Sequence, residues 1–469
     1  MLDAFFYHLI KEGIRPDHLI SLAEYGRKAL ETYLEQNKNS DWPIGLRILA
    51  DIRCNGLIEI LDVVSKSTKS RPLKARVLEL VGSAKKFQTR INPQGFRTGT
   101  FEEVWKTIRE RGCKLDRERA YPRALRGLYD YTETPSEVEE KGLSYLRNEL
   151  GEYQRAVDDL AVSLGCEGRG EAVGKALAKK KGLESGKIIA FISRVRELLV
   201  KMVDSRIVGI NRKYRTRVIM TPEYLSGVIP SGAAYGLDYL GTTPKQVFLV
   251  TDDPKLNSPP WIPAELIGLL VHEEYGHCVN YSNSAAGYGA KPGFAEMLSS
   301  SLGEAVSEGL SFERELEFLD YLGRLSQQAR LTREERSFIR LCERFGGFEA
   351  LRQEYEFGTR AARITRFLRV VGDARINSGK QDLPDFIEWA TKETGLSKSG
   401  VYFNVFPAHQ AIGPGYATTY AIIGESIRQI QEAAVRAGKD FVKFNTYACS
   451  QGFTSRTVLE SRLLEFANG

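Results

Sequence analysis

The chain has 469 residues, of which 42% are hydrophobic, enough to bury a large core and, by length alone, to form two or three domains. Its 66 basic and 60 acidic residues leave a net charge of only +6, and runs such as Lys179 to Lys181 read as solvated helix faces. No arginine stripe with interleaved aromatics supports nucleic-acid binding, and no segment reaches the roughly 18 uninterrupted apolar residues of a membrane span.

In chain order, helical periodicity dominates. Apolar spacing predicts helices over 4–36 and 46–66. The pattern loosens over 90–130, where Asn92-Pro-Gln-Gly and basic residues interrupt it. This places an N-terminal helical subdomain at 1–115 and a catalytic body at 116–469. Thr134-Pro-Ser-Glu137 supplies a cap, a first-turn proline and an N3 glutamate, opening a helix to about Leu164. A helix over 185–204 follows, then two short β-like runs, Arg217-Val-Ile-Met-Thr221 and Gln246-Val-Phe-Leu-Val250. Such strands can offer an edge to an extended peptide, with Gln246 and Phe248 as contacts, or form a small structural sheet. Further helices are expected over 303–325, 347–378 and 415–437, with no 20–50-residue repeat and no low-complexity linker.

The chemistry concentrates at His272-Glu-Glu-Tyr-Gly-His277, two of only five histidines, spaced HExxxH. This is one residue longer than the HExxH of zinc peptidases. On a regular α-helix, residues five apart are rotated by roughly 140°, so both imidazoles reach one ion only if the helix absorbs the extra residue. A single π-turn does that, and Gly276 eases the distortion. Pro263 suits a first helical turn, and Leu266, Leu269 and Leu270 give an apolar face leading into the motif. Zinc needs a third protein ligand. Glu304 and Glu308 share a helical face, and Glu308 is preferred because Gly309 beside it leaves room for the histidine helix. Glu304 then holds an imidazole N–H. Glu273 suits a general base acting on a water that the metal activates. Burying two imidazoles and two carboxylates without a compensating ion is costly, which argues against a merely solvated face. A ferritin-like di-iron site needs ExxH on two helices, and only Glu274–His277 supplies it.

Tyr416 and Tyr420, four apart, can face one side of a helix and donate to an oxyanion, or can be ordinary core aromatics. His409 is a weaker donor to the same oxyanion. Arg366 and Arg369 suit a substrate carboxylate, although Arg369 and Asp373 are also spaced to pair with each other, the reading preferred here.

Three stretches together resemble the domain-of-unknown-function 885 family: Leu-Leu-Val-His-Glu-Glu-Tyr-Gly-His at 269–277, Ser-Glu-Gly-Leu-Ser-Phe-Glu-Arg-Glu at 307–315, and Gly-Pro-Gly-Tyr-Ala-Thr-Thr-Tyr at 413–420. Tyr131 to Glu140 is similar to that family's TPEE-type helix start, and Arg369-Val-Val-Gly-Asp373 to its Arg-xxx-Asp, so the resemblance spans residues 115–469. It implies a gluzincin-like zinc peptidase with a mainly helical, deep-cleft fold. The chain lacks the proline and doubled histidine of that family's HExxPGHH. Its HExxxH is more like that of the tyrosine carboxypeptidases that trim tubulin, whose EGLA glutamate corresponds to Glu308-Gly-Leu-Ser. Both resemblances imply one zinc ion on His272, His277 and Glu308, Glu273 as base, and Tyr420 in the place of a family tyrosine.

The expectation is therefore a mainly α, large helical deep-cleft metallopeptidase-like fold, with a small β-sheet beside the zinc helix. Its activity would be zinc-dependent hydrolysis of peptide substrates, as a carboxypeptidase or oligopeptidase. The alternatives are a non-catalytic zinc-containing peptide-binding protein and an amidohydrolase acting on a non-peptide substrate. Cysteines at 54, 113, 166, 278, 342 and 449 lack CxxC pairing and read as reduced thiols. Met-Leu-Asp-Ala-Phe-Phe-Tyr-His at the start does not read as a signal peptide. Together these predict a cytoplasmic protein.

Overall fold

The computed structural model describes residues 2–38, 40–210, 214–226, 229, 231–238, 243, 245–252, 260–288, 301–452 and 454–469. It is mainly α-helical, with one three-stranded sheet among the described residues. The helix expected over 4–36 is two helices, Leu2–Glu12 and Pro16–Gln36. Gly13, at φ +69°, takes the left-handed conformation that ends the first, and Pro16 opens the second. The other expected helices fall at Ile44–Ser67, Pro135–Leu164, Ser185–Val203, Ser301–Gln327, Phe348–Asn377 and Thr419–Arg436. The Thr134 cap forms as its sequence implies: Thr134 accepts from the Glu137 N–H while Glu137 accepts from the Thr134 N–H.

The Phe348–Asn377 helix runs through the body, packed against Pro135–Leu164 on one side and Pro263–Leu270 on another. Ser301–Gln327 lies along Thr419–Arg436. Gly309 sets that spacing, since a Cβ there would stand 2.7 Å from Ile423 Cγ2 and 3.0 Å from the Gly424 nitrogen. The room it makes therefore serves this helix pair rather than the histidine helix.

The strands are β1 (Arg215–Met220), β2 (Gly232–Asp238) and β3 (Lys245–Val250), in the order β1-β3-β2. β3 is central, parallel to β1 and antiparallel to β2. Its alternation divides two cores. Val247 and Leu249 pack with Phe5, Phe6, Leu57, Ile60 and Leu61 of the N-terminal helices, whereas Phe248 and Val250 join the main core. That corrects Gln246 and Phe248 as substrate contacts. Both are buried, β3 has a neighbour on each edge, and the Gln246 amide donates to the Cys278 carbonyl at 2.9 Å. Among the described residues the outer strand that packs against the histidine helix is β2, whose Gly-Ala-Ala-Tyr-Gly run carries no β-branched signal.

Charge is buried at the centre of the body. Arg363, only 2% exposed, reaches Glu149 at 3.1 Å and Glu313 at 3.6 Å and is hydrogen-bonded to Glu425, while its guanidinium lies 4.2 Å from the Phe312 ring centre. Three helices are thereby tied to the Phe348–Asn377 helix. No described helix is long and apolar enough to cross a membrane. Removing one partner of a buried network leaves the others uncompensated. Arg363→Ala is expected to cost about 3–5 kcal/mol in denaturant-monitored unfolding.

Candidate metal centre

The histidine helix starts at Pro263, where Glu265 accepts from the Ile262 N–H at 3.3 Å, and the Trp261 indole N–H is fixed on the Thr251 carbonyl at 2.7 Å. Regular α geometry ends at Leu270. From Val271 to Cys278 the chain is a π-helix, and α geometry resumes at Val279–Tyr288. At its end the Val279 N–H reaches the Glu274 carbonyl five residues back. The irregularity is thus eight residues long, more than a single bulge. Hydrogen bonding at i+5 stacks residues five apart on one face, so His272 and His277 converge with ring centres 5.0 Å apart. Gly276 permits the next helix to approach: a Cβ there would lie 2.5 Å from Ser311 Oγ and 2.7 Å from Ser311 Cα.

That approach delivers Glu308. Its Oε2 stands 3.3 Å from His277 Nε2 and 3.8 Å from His272 Nε2, and the three ligand atoms lie within 4.8 Å of one another. All three residues are buried, and Glu308 Oε2 has no hydrogen-bond donor. Tyr416 donates to the other oxygen, Oε1, at 2.6 Å. A buried carboxylate oxygen facing two imidazole nitrogens without a donor suits a cation. Two nitrogens and one oxygen with a cleft beyond them match the three-ligand, one-open arrangement of catalytic zinc. The residues fit the metal.

The outer contacts engage the Nδ1 atoms of both imidazoles. His272 Nδ1 lies 2.9 Å from Glu315 Oε1, and His277 Nδ1 lies 2.9 Å from Ser307 Oγ. With the Nδ1–H groups directed outward, as a bound cation would require, both Nε2 lone pairs would be free for the ion beside Glu308. Glu315 is held in turn by Arg366 through two contacts, at 2.6 and 3.0 Å. Glu315 and Ser307, not Glu304, therefore hold the imidazoles, while Glu304 is exposed on the cleft wall. Glu315 is seven residues beyond Glu308, two turns along the same face, so its spacing was a usable signal. Burial pushes the Glu308 carboxyl up, but His277 and His272 outweigh it and hold it well below its usual range. Burial raises Glu273, opposed by His272 and His277. Glu274 is elsewhere, paired with Arg196 at 2.7 Å and accepting from the Tyr214 hydroxyl at 3.2 Å.

The triad and Glu273 line a cavity of about 800 Å³ that also holds Tyr416, Tyr420, His409, Arg366 and Arg369, with β2 residues Gly232 to Tyr235 along one wall. The Tyr420 hydroxyl is 3.3 Å from that of Tyr416, and its ring stacks 6.3 Å from His272. His409 stacks on Tyr416 at 5.9 Å; its Nδ1 is buried without a partner, and burial pulls its pKa well below the usual value.

The expected pair between Arg369 and Asp373 does not form. Asp373 instead accepts from Thr418 and Asn377 at 2.7 Å, the Gly415 N–H at 2.9 Å and Gln410 at 3.0 Å. Four uncharged donors satisfy it in the core, and Arg369 turns to the cleft. There Arg369 donates to the Asn404 carbonyl at 2.9 Å and lies 5.0 Å from the Tyr420 ring centre, with no carboxylate partner among the described residues. Burial lowers its pKa to about 10, with Tyr420 opposing and Arg366 adding to the fall.

The fold has solved relatives. A "putative lipoprotein" from Colwellia psychrerythraea matches with a TM-score of 0.58 and 15% identity, over 88% of this chain and 66% of its own length. A "putative lipoprotein of unknown function" from Shewanella oneidensis matches with a TM-score of 0.66 and 16% identity, over 99% of this chain and 81% of its own. The chain thus spans just under two thirds of the Colwellia protein. At these identities the likeness is one of fold alone. No family model and no curated protein matches the chain.

These findings correct two expectations. The resemblance to the domain-of-unknown-function 885 family fails, because no family model matches and the solved structures of similar fold are described only as a "putative lipoprotein" and a "putative lipoprotein of unknown function". Short motifs around a metal are dictated by ligand geometry and recur without shared descent. The cytoplasmic placement falls as well, because both fold relatives are described as lipoproteins; unpaired cysteines do not discriminate between compartments.

Glu315→Gln keeps the shape of the side chain but removes the charge that orients His272. It is expected to weaken zinc binding by about 10–100-fold, measured by chelator competition.

Proposed function

We propose that the chain is a zinc-dependent hydrolase of peptide bonds, acting near the carboxyl end of extended peptides. One observation carries the reading: His272, His277 and the donorless Glu308 Oε2 converge beside Glu273 at the floor of an open cleft. A purely structural ion has no use for a cleft or for an adjacent buried carboxylate.

A zinc ion held by His272, His277 and Glu308 would supply Lewis acidity, lowering the pKa of a water and polarising a carbonyl. Glu273 takes a proton from the attacking water and passes it to the departing amine as the C–N bond breaks. Tyr420 donates its O–H to the carbonyl oxygen as negative charge builds there. Tyr416 is committed to Glu308, so its part is to fix that ligand and its neighbour. The β2 edge offers main-chain groups to an extended peptide by strand addition. Arg369 has no carboxylate partner among the described residues, and a free peptide C-terminus supplies one. Arg366 is occupied by Glu315.

The test uses elemental analysis and mass-spectrometric digestion of a mixed library of free and amidated peptides. Glu273→Gln should keep its zinc and lose about 10²–10⁴-fold in rate. Wild-type protein that binds zinc but cuts nothing the variant spares would favour a peptide-binding role, and cleavage of non-peptide amides alone would favour an amidohydrolase. Arg369→Ala should raise KM about 10- to 100-fold for free-acid peptides, the loss of one charged hydrogen-bonded contact, and leave amidated peptides unchanged.

A further inference from the structure

Three of the five histidines belong to the cleft; the other two, His8 and His18, meet at the corner between the helices Leu2–Glu12 and Pro16–Gln36. His8 and Glu12 are four residues apart and share a face of the first helix. The turn at Gly13 brings His18, on the first turn of the second helix, back to that face. His18 Nδ1 lies 2.7 Å from Glu12 Oε2, and His8 Nδ1 lies 4.0 Å from the same oxygen. The His8 Nδ1 atom is buried and has no hydrogen-bond partner. One ligand atom from each residue falls within 4.8 Å of the others.

We propose that His8, Glu12 and His18 form a second metal site, for a divalent transition ion, separate from the cleft. Nitrogen and oxygen ligands held at about 2.0–2.1 Å from zinc in a tetrahedron stand about 3.3 Å apart. The 2.7 and 4.0 Å separations straddle that value, so small torsions of partly exposed side chains suffice. Two imidazoles and a carboxylate select zinc, nickel or copper over calcium or magnesium. The His18 side chain is 50% exposed, leaving the remaining coordination to water. A histidine–glutamate hydrogen bond alone is worth little at such a surface and leaves His8 Nδ1 unsatisfied; the ion engages all three groups. The site also has a structural consequence. The Tyr7 hydroxyl donates to the Leu237 carbonyl at 3.1 Å, and Phe6 meets Tyr235 edge-on at 5.6 Å. An ion clamping the two helices therefore braces β2, whose Tyr235 lines the cleft.

The experiment counts metal in chelator-stripped full-length protein by zinc titration and elemental analysis after desalting. His272→Ala/His277→Ala should retain one equivalent, and adding His8→Ala/His18→Ala should remove it. In the otherwise intact chain, His8→Ala/His18→Ala should lose one equivalent relative to wild type, with unchanged far-UV circular dichroism. A surface double variant that binds as much zinc as wild type overturns the proposal, as does a folded cleft double variant that binds none. The cleft reading fails separately, if His272→Ala/His277→Ala binds as much zinc as wild type.

Discussion

The site depends on two helices approaching closely enough for Glu308 to reach between two imidazoles. Gly276 allows that approach, since any side chain there would collide with Ser311. The widened winding from Val271 to Cys278 makes the approach useful, because it turns a five-residue spacing into a common face. Neither feature suffices alone. A regular helix would separate the imidazoles, and a larger residue at 276 would keep the carboxylate out. A wound-open helix forgoes regular i+4 hydrogen bonding, and such segments persist where the surrounding packing over-determines them. Here the packing comes from Arg196 on Glu274 and from the buried Tyr275 ring.

Around this contact, charge is arranged in layers. The Arg366–Glu315–His272 chain holds one imidazole by a buried ion pair, and Asp373 fastens the segment carrying Gly415 and Thr418 to the Phe348–Asn377 helix. The second device sets the position of Tyr416 and, one turn later, of Tyr420. Desolvating a carboxylate costs several kcal/mol unless its acceptor positions are filled. Asp373 meets that condition with four neutral donors, and Glu308 Oε2 leaves it unmet. The contrast between these two buried acids separates a structural anchor from a position that calls for a ligand.

Much of this was legible in local pattern. The Thr134 cap, the helical spacings and the HExxxH irregularity are properties of short windows, and the structure reproduces them. What escaped depends on distant partners. Glu315 sits two turns beyond Glu308, a seven-residue step that i,i+4 spacing does not reach. Arg369 pairs or stays free according to what surrounds Asp373, which no helical spacing reveals. β2 is built from glycine and alanine, so its strand character comes from β3 beside it rather than from its own residues. The long N-terminal helix failed for a local reason that was visible, Gly13 followed by Pro16, but apolar periodicity masked it.

The position of β2 has a further consequence. An uncovered strand edge is ordinarily a liability, because it can recruit the edge of another folded sheet and seed aggregation. Among the described residues β2 lies along the wall of a cavity, with the N-terminal helices packed over one face of the sheet. A strand lining a concavity is harder for the sheet of another molecule to pair with, which limits that route to aggregation.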